Sequence, residues 1–293
     1  MNAIVVGTGA MGPEIAAALA LAGHDVVLAG RIPLNRDAAA ARATDMAGGL
    51  PVPPSAIDQQ AFAEADLVIE TIVEDAPTKL ALFRRIEPWC HPKALIATNT
   101  SSLTIAELAG GLDRPGRFAG LHFLKPAHLT GVVEIIPGPA TSDATVDALR
   151  GIAADMGKAP LVARRDVPGF IWNRLQFAML RECLHMLDEG IASAEDIDAA
   201  VADGLAPRWV AAGPLATADL GGLATFARIC DGLFPHLATE AAAPASITGP
   251  AEEGRPLMDW TTDKADTIPA LRADALAAGR EFTRRRAALQ TDG

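Results

Sequence analysis

Residues 3–29 read AIVVGTGAMGPEIAAALALAGHDVVLA, and this stretch decides the fold. Residues 3–6 are a short apolar run of β type. Gly7 to Gly12 then read GTGAMG, and an Ala-rich segment over 14–22 has helical character and closes at Gly23. Residues 25–29, DVVLA, make a second apolar run. Strand, glycine turn, helix and strand form one βαβ unit, with Gly7, Gly9 and Gly12 in GxGxxG register. The first glycine permits the tight turn, the second lets a pyrophosphate approach the backbone, and the third lets the helix pack on the strand. Pro13 falls in the first helical turn, where a missing N–H leaves no bond unmade. Alone, a GxGxxG is a weak signal. Its place between a strand and a helix makes Gly7, Gly9, Ala10, Met11 and Gly12 the expected phosphate cradle of a dinucleotide.

Four further apolar runs follow: LVIET over 67–71, LIATN over 95–99, FAGLHF over 118–123 and VVEII over 132–136. Helical segments such as 79–86 separate them, so a doubly wound, mostly parallel α/β sheet is predicted. After Asp166-Val167-Pro168-Gly169 the pattern turns helical, over 170–188, 193–201 and beyond a Gly/Pro-rich stretch at 211–214. Ser193 followed by Asp196 resembles a capping box. The expected organisation is a dinucleotide-binding domain over 1–165 and an all-helical C-terminal domain over 166–293 for substrate and dimer contacts. Residues 241–250 read as a surface loop, and Arg284, Arg285 and Arg286 as the basic end of the last helix.

Sheets of this kind place their ligands at the carboxyl ends of the strands. Polar residues gather there: Asn99, Ser101 and Ser102 in NTSSL, and His122 in LHFLKP. With Glu134 inside VVEII they make a set suited to alcohol–ketone chemistry. The imidazole accepts the hydroxyl proton, the carboxylate steadies the imidazolium, and a hydroxyl donor polarises the carbonyl. A carboxylate between apolar strand neighbours is costly to bury without a partner, and His122 is the candidate partner of Glu134. Ser102 reads equally as a cap for the following helix, and Glu74 as a solvated loop acid.

The 293 residues, 50% of them hydrophobic, suffice for two domains with cores. A net charge of −11 and a pI near 5.0 argue against nucleic acid or an anionic membrane surface, leaving a small-molecule substrate as the expected partner. Cys90, Cys183 and Cys230 lack metal-ligand spacing and read as free thiols of a reducing compartment, with no metal expected. The opening MNAIVVGTG has no basic n-region and no run reaches the length of a membrane span, so a cytoplasmic protein is expected. There is no tyrosine, which excludes the Tyr–Lys pair of the short-chain dehydrogenases.

Six motifs carry a resemblance: GTGAMG (Gly7–Gly12), ETIVED (Glu70–Asp75), NTSSL (Asn99–Leu103), GLHF-x-x-P (Gly120–Pro126), VVEII (Val132–Ile136) and DVPGFIWNRL (Asp166–Leu175). In order and spacing they resemble the 3-hydroxyacyl-CoA dehydrogenase family over residues 1–234. The resemblance implies a Rossmann-type domain followed by a helical domain that dimerises, hence a homodimer. It also implies that His122 is the general base and Glu134 its orienting carboxylate. Ser101 and Asn173 would hold the substrate hydroxyl or carbonyl, Glu74 and Lys79 would lie near the nicotinamide ribose, and Asn99 would face the cofactor. The implied reaction is the NAD(P)-dependent interconversion of a 3-hydroxyacyl group, as thioester or free acid, and its 3-keto form.

Departures from the family bear on cofactor and substrate. The second strand normally ends in an acid that holds the adenosine ribose; here Gly30 stands there, followed by Arg31, with Arg36 close behind. Without the acid a 2′-phosphate is no longer repelled, and a guanidinium can bind it bidentately. NAD or NADP is therefore expected, with NADP favoured; the other reading has Arg31 stacking on adenine, which suits either. The interval 31–65 is too short for the long helical hairpin that contacts CoA in the family's fatty-acid enzymes, and PVPPS from Pro51 breaks helix within it. Lys125 replaces an Asn of the family motif, and either neutralises a substrate carboxylate or points to solvent. A free β-hydroxy acid, β-keto acid or diketone substrate without CoA stays open. So does a non-catalytic cofactor-binding structural or sensor protein on this fold, although intact His122, Glu134, Ser101 and Asn173 count against it.

Overall fold

The computed structural model describes residues 1–258 and 262–291, with side chains over 1–258 and 267–281. The expected basic end at Arg284–Arg286 lies outside those described side chains. Contacts divide the chain into two compact units, Met1–Arg174 and Leu175–Gly293.

The first unit opens with the expected β1 (Asn2–Val6), α1 (Met11–Leu21) and β2 (Asp25–Ala29). It continues through α2 (Pro33–Met46), β3 (Pro54–Ser55), α3 (Gln59–Phe62), β4 (Leu67–Glu70), α4 (Ala76–Ile86), β5 (Leu95–Thr98) and α5 (Ile105–Ala109). Then come β6 (Phe118–Phe123), β7 (Val132–Pro137), α6 (Asp143–Asp155) and β8 (Ala159–Val162). The eight strands form one sheet in the order β3-β2-β1-β4-β5-β6-β7-β8. Strand side chains alternate between its faces. Ala3 and Val5 join the cluster that includes Ile15, Leu19 and Leu149, whereas Ile4 and Val6 join Phe62, Phe83 and Phe118. The alanines of α1 leave it nearly all buried, and small side chains let it sit close to the sheet. Asp58, Asp75, Thr104 and Ser142 cap α3, α4, α5 and α6 by accepting a backbone N–H three residues on.

Two features of the sheet differ from a simple parallel reading. β7 runs antiparallel to β6, because the link over 124–131 is too short for a crossover helix. β8, half-buried and containing Pro160, forms one edge of the sheet, where a missing N–H is tolerated. The other edge, β3, carries Pro54.

The helix α7 (Trp172–Asp188) begins at the end of the first unit, and among the described residues the remaining elements of the second unit are helices. It comprises α8 (Ala194–Ala199), a π-helical turn (Ala200–Leu205), α9 (Ala206–Ala211), α10 (Pro214–Gly221), α11 (Leu223–Leu233), α12 (Ala245–Glu253) and α13 (Thr262–Thr291). The expected loop over 241–250 is therefore half helix. Pro244 sits at the N-cap of α12, and Gly254, at φ +67°, closes it in the left-handed conformation. Among the described residues no helix is long and apolar enough to cross a membrane.

Candidate active site

The carboxyl ends of β1, β4 and β5 open onto a groove of about 890 Å³, lined by residues 6–11, 29–32 and 71–74 and by Asn99, Ser101 and Ser102. The glycine turn forms one wall. A Cβ on Gly7 would stand 2.3 Å from the Thr71 carbonyl oxygen, and one on Gly12 would stand 1.9 Å from that of Gly7. Only glycine fits at either position. A Cβ on Gly9 would meet nothing within 4 Å, so there the backbone faces open space at the N-terminus of α1. Unpaired helix-start N–H groups and the positive end of the helix dipole favour an anion there, as a pyrophosphate requires. The residues present fit a dinucleotide. A second cavity, about 580 Å³ beside His24 and Asp25, holds none of the expected residues.

Strand register places His122 directly opposite Glu134. His122 Nδ1 lies 2.6 Å from Glu134 Oε2, and the two residues are 4% and 0% exposed. The other oxygen, Oε1, accepts the N–H groups of Ile171 at 2.9 Å and Trp172 at 2.8 Å. Gly169 (φ +78°) and Phe170 (φ +49°) bring the chain there in the left-handed region. An aromatic residue adopts that conformation at a cost of roughly 1–2 kcal/mol. Phe170 is buried, and its ring stands edge-on to the His122 imidazole at 5.7 Å between centroids. Burial pushes the Glu134 carboxyl up, but the His122 hydrogen bond, the Trp172 N–H, the His122 charge and the Ile171 N–H together bring it below its ordinary value. An ionised carboxylate accepts a hydrogen bond from Nδ1–H and so favours the tautomer whose Nε2 carries the lone pair.

The loop bearing Ser101 hangs from a second carboxylate. Glu74 Oε1 accepts Thr100 Oγ1 and the Ser101 N–H, both at 2.7 Å, with the Ser102 N–H at 2.9 Å and Ser102 Oγ at 3.0 Å. Burial pushes this carboxyl up, and the Thr100, Ser101 and Ser102 hydrogen bonds with the Lys79 charge outweigh it, leaving it below its ordinary value. Glu74, on the loop after β4 and 36% exposed, is thus a clasp as well as a groove residue, and the cap of α5 is Thr104, not Ser102. Lys79 is 1% exposed, with Nζ 2.6 Å from Glu70 Oε1 and 3.4 Å from Glu74 Oε2. Its charge is paired inside the protein, and like His122, Asn173 and Lys125 it is not among the residues that line the groove. Asn99 ties strand ends together: Oδ1 accepts the Phe123 N–H at 2.7 Å and Nδ2 donates to Thr71 Oγ1 at 3.3 Å.

Asn173 Nδ2 donates to the Ser101 carbonyl oxygen at 3.2 Å, so these two expected residues meet within the first unit. Lys125 is exposed on the loop after β6, and Arg31 is exposed at the groove wall. A Cβ on Gly30 would stand 2.5 Å from Thr8 Cγ2, so Thr8 fills the space an acid would need. Sequence reasoning missed Glu70, Thr98 and Phe170. Glu70 carried the same signal as Glu134, a carboxylate within an apolar strand that must find a partner.

Two family models match the chain: 3-hydroxyacyl-CoA dehydrogenase, NAD binding domain, over residues 54–167, and its C-terminal domain over 169–254. A 3-hydroxybutyryl-CoA dehydrogenase of Bradyrhizobium diazoefficiens is 37% identical over 83% of this chain and 87% of its own. The 5-formyl-3-hydroxy-2-methylpyridine 4-carboxylate 5-dehydrogenase of Mesorhizobium japonicum is 29% identical over 96% of this chain and 97% of its own. A solved structure of an enzyme of the latter kind, described as an NAD+-dependent dismutase, superposes with a TM-score of 0.87 at 28% identity, covering 96% of this chain and 97% of that one. The (S)-3-hydroxybutyryl-CoA dehydrogenase of Ralstonia eutropha superposes at 0.70 with 29% identity, covering 89% and 99%.

Proposed function

The chain belongs to the 3-hydroxyacyl-CoA dehydrogenase family, and we propose that it interconverts the alcohol and carbonyl forms of a compact free carboxylic acid with His122 as general base. The observation that carries the chemistry is the buried His122–Glu134 pair at 2.6 Å. In the oxidative direction His122 Nε2 takes the hydroxyl proton, and Glu134 stabilises the imidazolium that forms. A bound nicotinamide would supply the acceptor for the hydride. Ser101 and Asn173 hold the substrate oxygen in place, with Asn173 joined to the Ser101 loop through its amide.

For the substrate, two observations favour the free acid over a CoA thioester. Between β2 and β3 stands one helix, α2, with no helical hairpin. The structure also resembles a pyridine-carboxylate enzyme over nearly the full length of both chains, at a higher TM-score than the 3-hydroxybutyryl-CoA dehydrogenase. Lys125 then supplies the charge for the carboxylate. Efficiency toward free 3-hydroxy acids or hydroxymethyl aromatic carboxylates should match or exceed that toward 3-hydroxybutyryl-CoA, followed by absorbance of the reduced nicotinamide. Lys125→Met should raise KM for the acid more than for its neutral ester, because only the acid loses a charge-assisted contact. A thioester turned over a hundredfold more efficiently than every acid tested would decide for CoA.

The family supports NAD, and we further propose that Gly30 and Arg31 tilt the site toward NADP. Restoring the ribose acid needs room, so the reversal variant is Thr8→Ser with Gly30→Asp and Arg31→Gln; the first change removes the methyl group in the way. A hydrogen bond to a charged phosphate is worth roughly 1.5–3 kcal/mol, so the NADP/NAD efficiency ratio should fall by about one to two decades. A ratio that does not move removes Arg31 from phosphate recognition.

The helical unit, from Leu175, is proposed to pair with a second copy. Leu215 and Leu220 are 84% and 82% exposed, with Leu223 and Phe234 also bare, more apolar helix surface than an isolated unit keeps in water. Sedimentation showing a monomer at micromolar concentration would contradict this.

A further inference from the structure

Glu70 lies outside the groove, wholly buried at the carboxyl end of β4, yet three elements converge on it. Its Oε1 accepts the Ile72 N–H at 2.6 Å and faces Lys79 Nζ of α4 at 2.6 Å. Its Oε2 accepts Thr98 Oγ1 from the end of β5 at 2.6 Å. Among the described residues the carboxylates facing the Lys79 ammonium are Glu70 and Glu74, and Glu70 is the nearer. Glu74 has two tasks that compete. Oε2 is turned toward Lys79 at 3.4 Å, while Oε1 gathers four donors from Thr100, Ser101 and Ser102.

We infer that Glu70 is a positioning residue for the Ser101 loop: by neutralising Lys79 inside the protein, it leaves Glu74 free to clasp residues 100–102. The geometry is a division of charge. One buried ammonium faces two carboxylates; the fully buried one satisfies it, and the groove-lining one is released to organise backbone. If Glu70 loses its charge, the ammonium must still be compensated, since an unpaired buried charge is far costlier than a stretched loop. Glu74 is the carboxylate within reach, so it swings toward Lys79 and lets go of the Ser101 and Ser102 N–H groups. The inference deepens the proposed function, because Ser101 matters to turnover only on that reading.

The test uses Glu70→Gln, Lys79→Met and the double variant in the full chain. Hydrogen exchange of the Ser101 and Ser102 amides should quicken about tenfold or more in Glu70→Gln, the scale of one lost charged hydrogen bond. It should return toward the wild-type rate in Glu70→Gln/Lys79→Met, where no orphan ammonium draws Glu74 away. Turnover should follow: a fall of roughly 10–100-fold in the single variant, with KM for the dinucleotide moving less, and recovery in the double variant. A purely structural role for Glu70 makes the double variant no better than the single. Unchanged exchange in Glu70→Gln, or no recovery in the double variant, overturns the inference. If Glu70→Gln cannot be purified, the double variant decides alone, and fast exchange there overturns it. Exchange behaving as expected while turnover stays constant supports the clasp and sinks Ser101 as a substrate contact.

Discussion

His122→Gln is expected to lower turnover by about 10²–10⁴-fold, the ordinary worth of a general base. Glutamine is the informative replacement. Its amide can still donate to Glu134 Oε2, so the buried carboxylate keeps a partner and the strand pair stays intact. The cavity and orphan charge that alanine would create are avoided, and lost activity then reports the missing proton acceptor. The dinucleotide site should be unaffected, since its glycine cradle rests on Thr71 and on the N-terminus of α1, not on β6. Cofactor titration by fluorescence should give a dissociation constant close to that of the wild type. A variant keeping more than a tenth of the wild-type rate at saturating substrate would show that another group takes the proton.

The parts of this molecule that were legible in the sequence are those where local pattern and chemistry agree. The βαβ unit over 3–29 combines apolar runs, glycine spacing and a proline at a harmless position, and each points to the same turn. Glu134 was legible because a carboxylate in an apolar strand demands a partner, and register supplies His122. Other features follow from contacts that no local pattern encodes. β8 is a half-buried edge strand whose Pro160 disguises it, and the place of each strand in the sheet order is set by pairing across the whole unit. The left-handed Phe170 breaks the preference of its own residue type, and it is held by burial against His122. Lys79 is open to two readings. Its position in the chain matches a ribose neighbour, but whether its charge is spent on the cofactor or on Glu70 depends on burial, which no motif states.

Glu134→Gln should reduce turnover on the same scale as the His122 change, about 10²–10⁴-fold, through the tautomer of the imidazole. In the wild type Oε1 accepts two N–H groups, from Ile171 and Trp172, and Oε2 faces Nδ1. A glutamine amide has one acceptor and one donor end. The two backbone donors claim the oxygen, so the NH₂ group turns toward Nδ1. That nitrogen must then be the acceptor, which moves the ring hydrogen to Nε2, the atom that should receive the substrate proton. Glu134→Ala removes this constraint but leaves the Ile171 and Trp172 N–H groups unpaired, at roughly 1–3 kcal/mol each where buried. The glutamine variant should therefore be the more stable and the less active of the two, an ordering that simple loss of packing does not produce. Acid titration separates them from the wild type as well. The Glu134 carboxyl is held below its ordinary value in the folded chain, so its contribution to stability is complete above that ordinary value and is lost as pH falls through the lowered one. Neither variant can titrate there, so urea midpoints measured across the acid range should decline less steeply in both. Equal slopes in all three proteins, or a glutamine variant more active than the alanine one, would remove Glu134 from control of the imidazole.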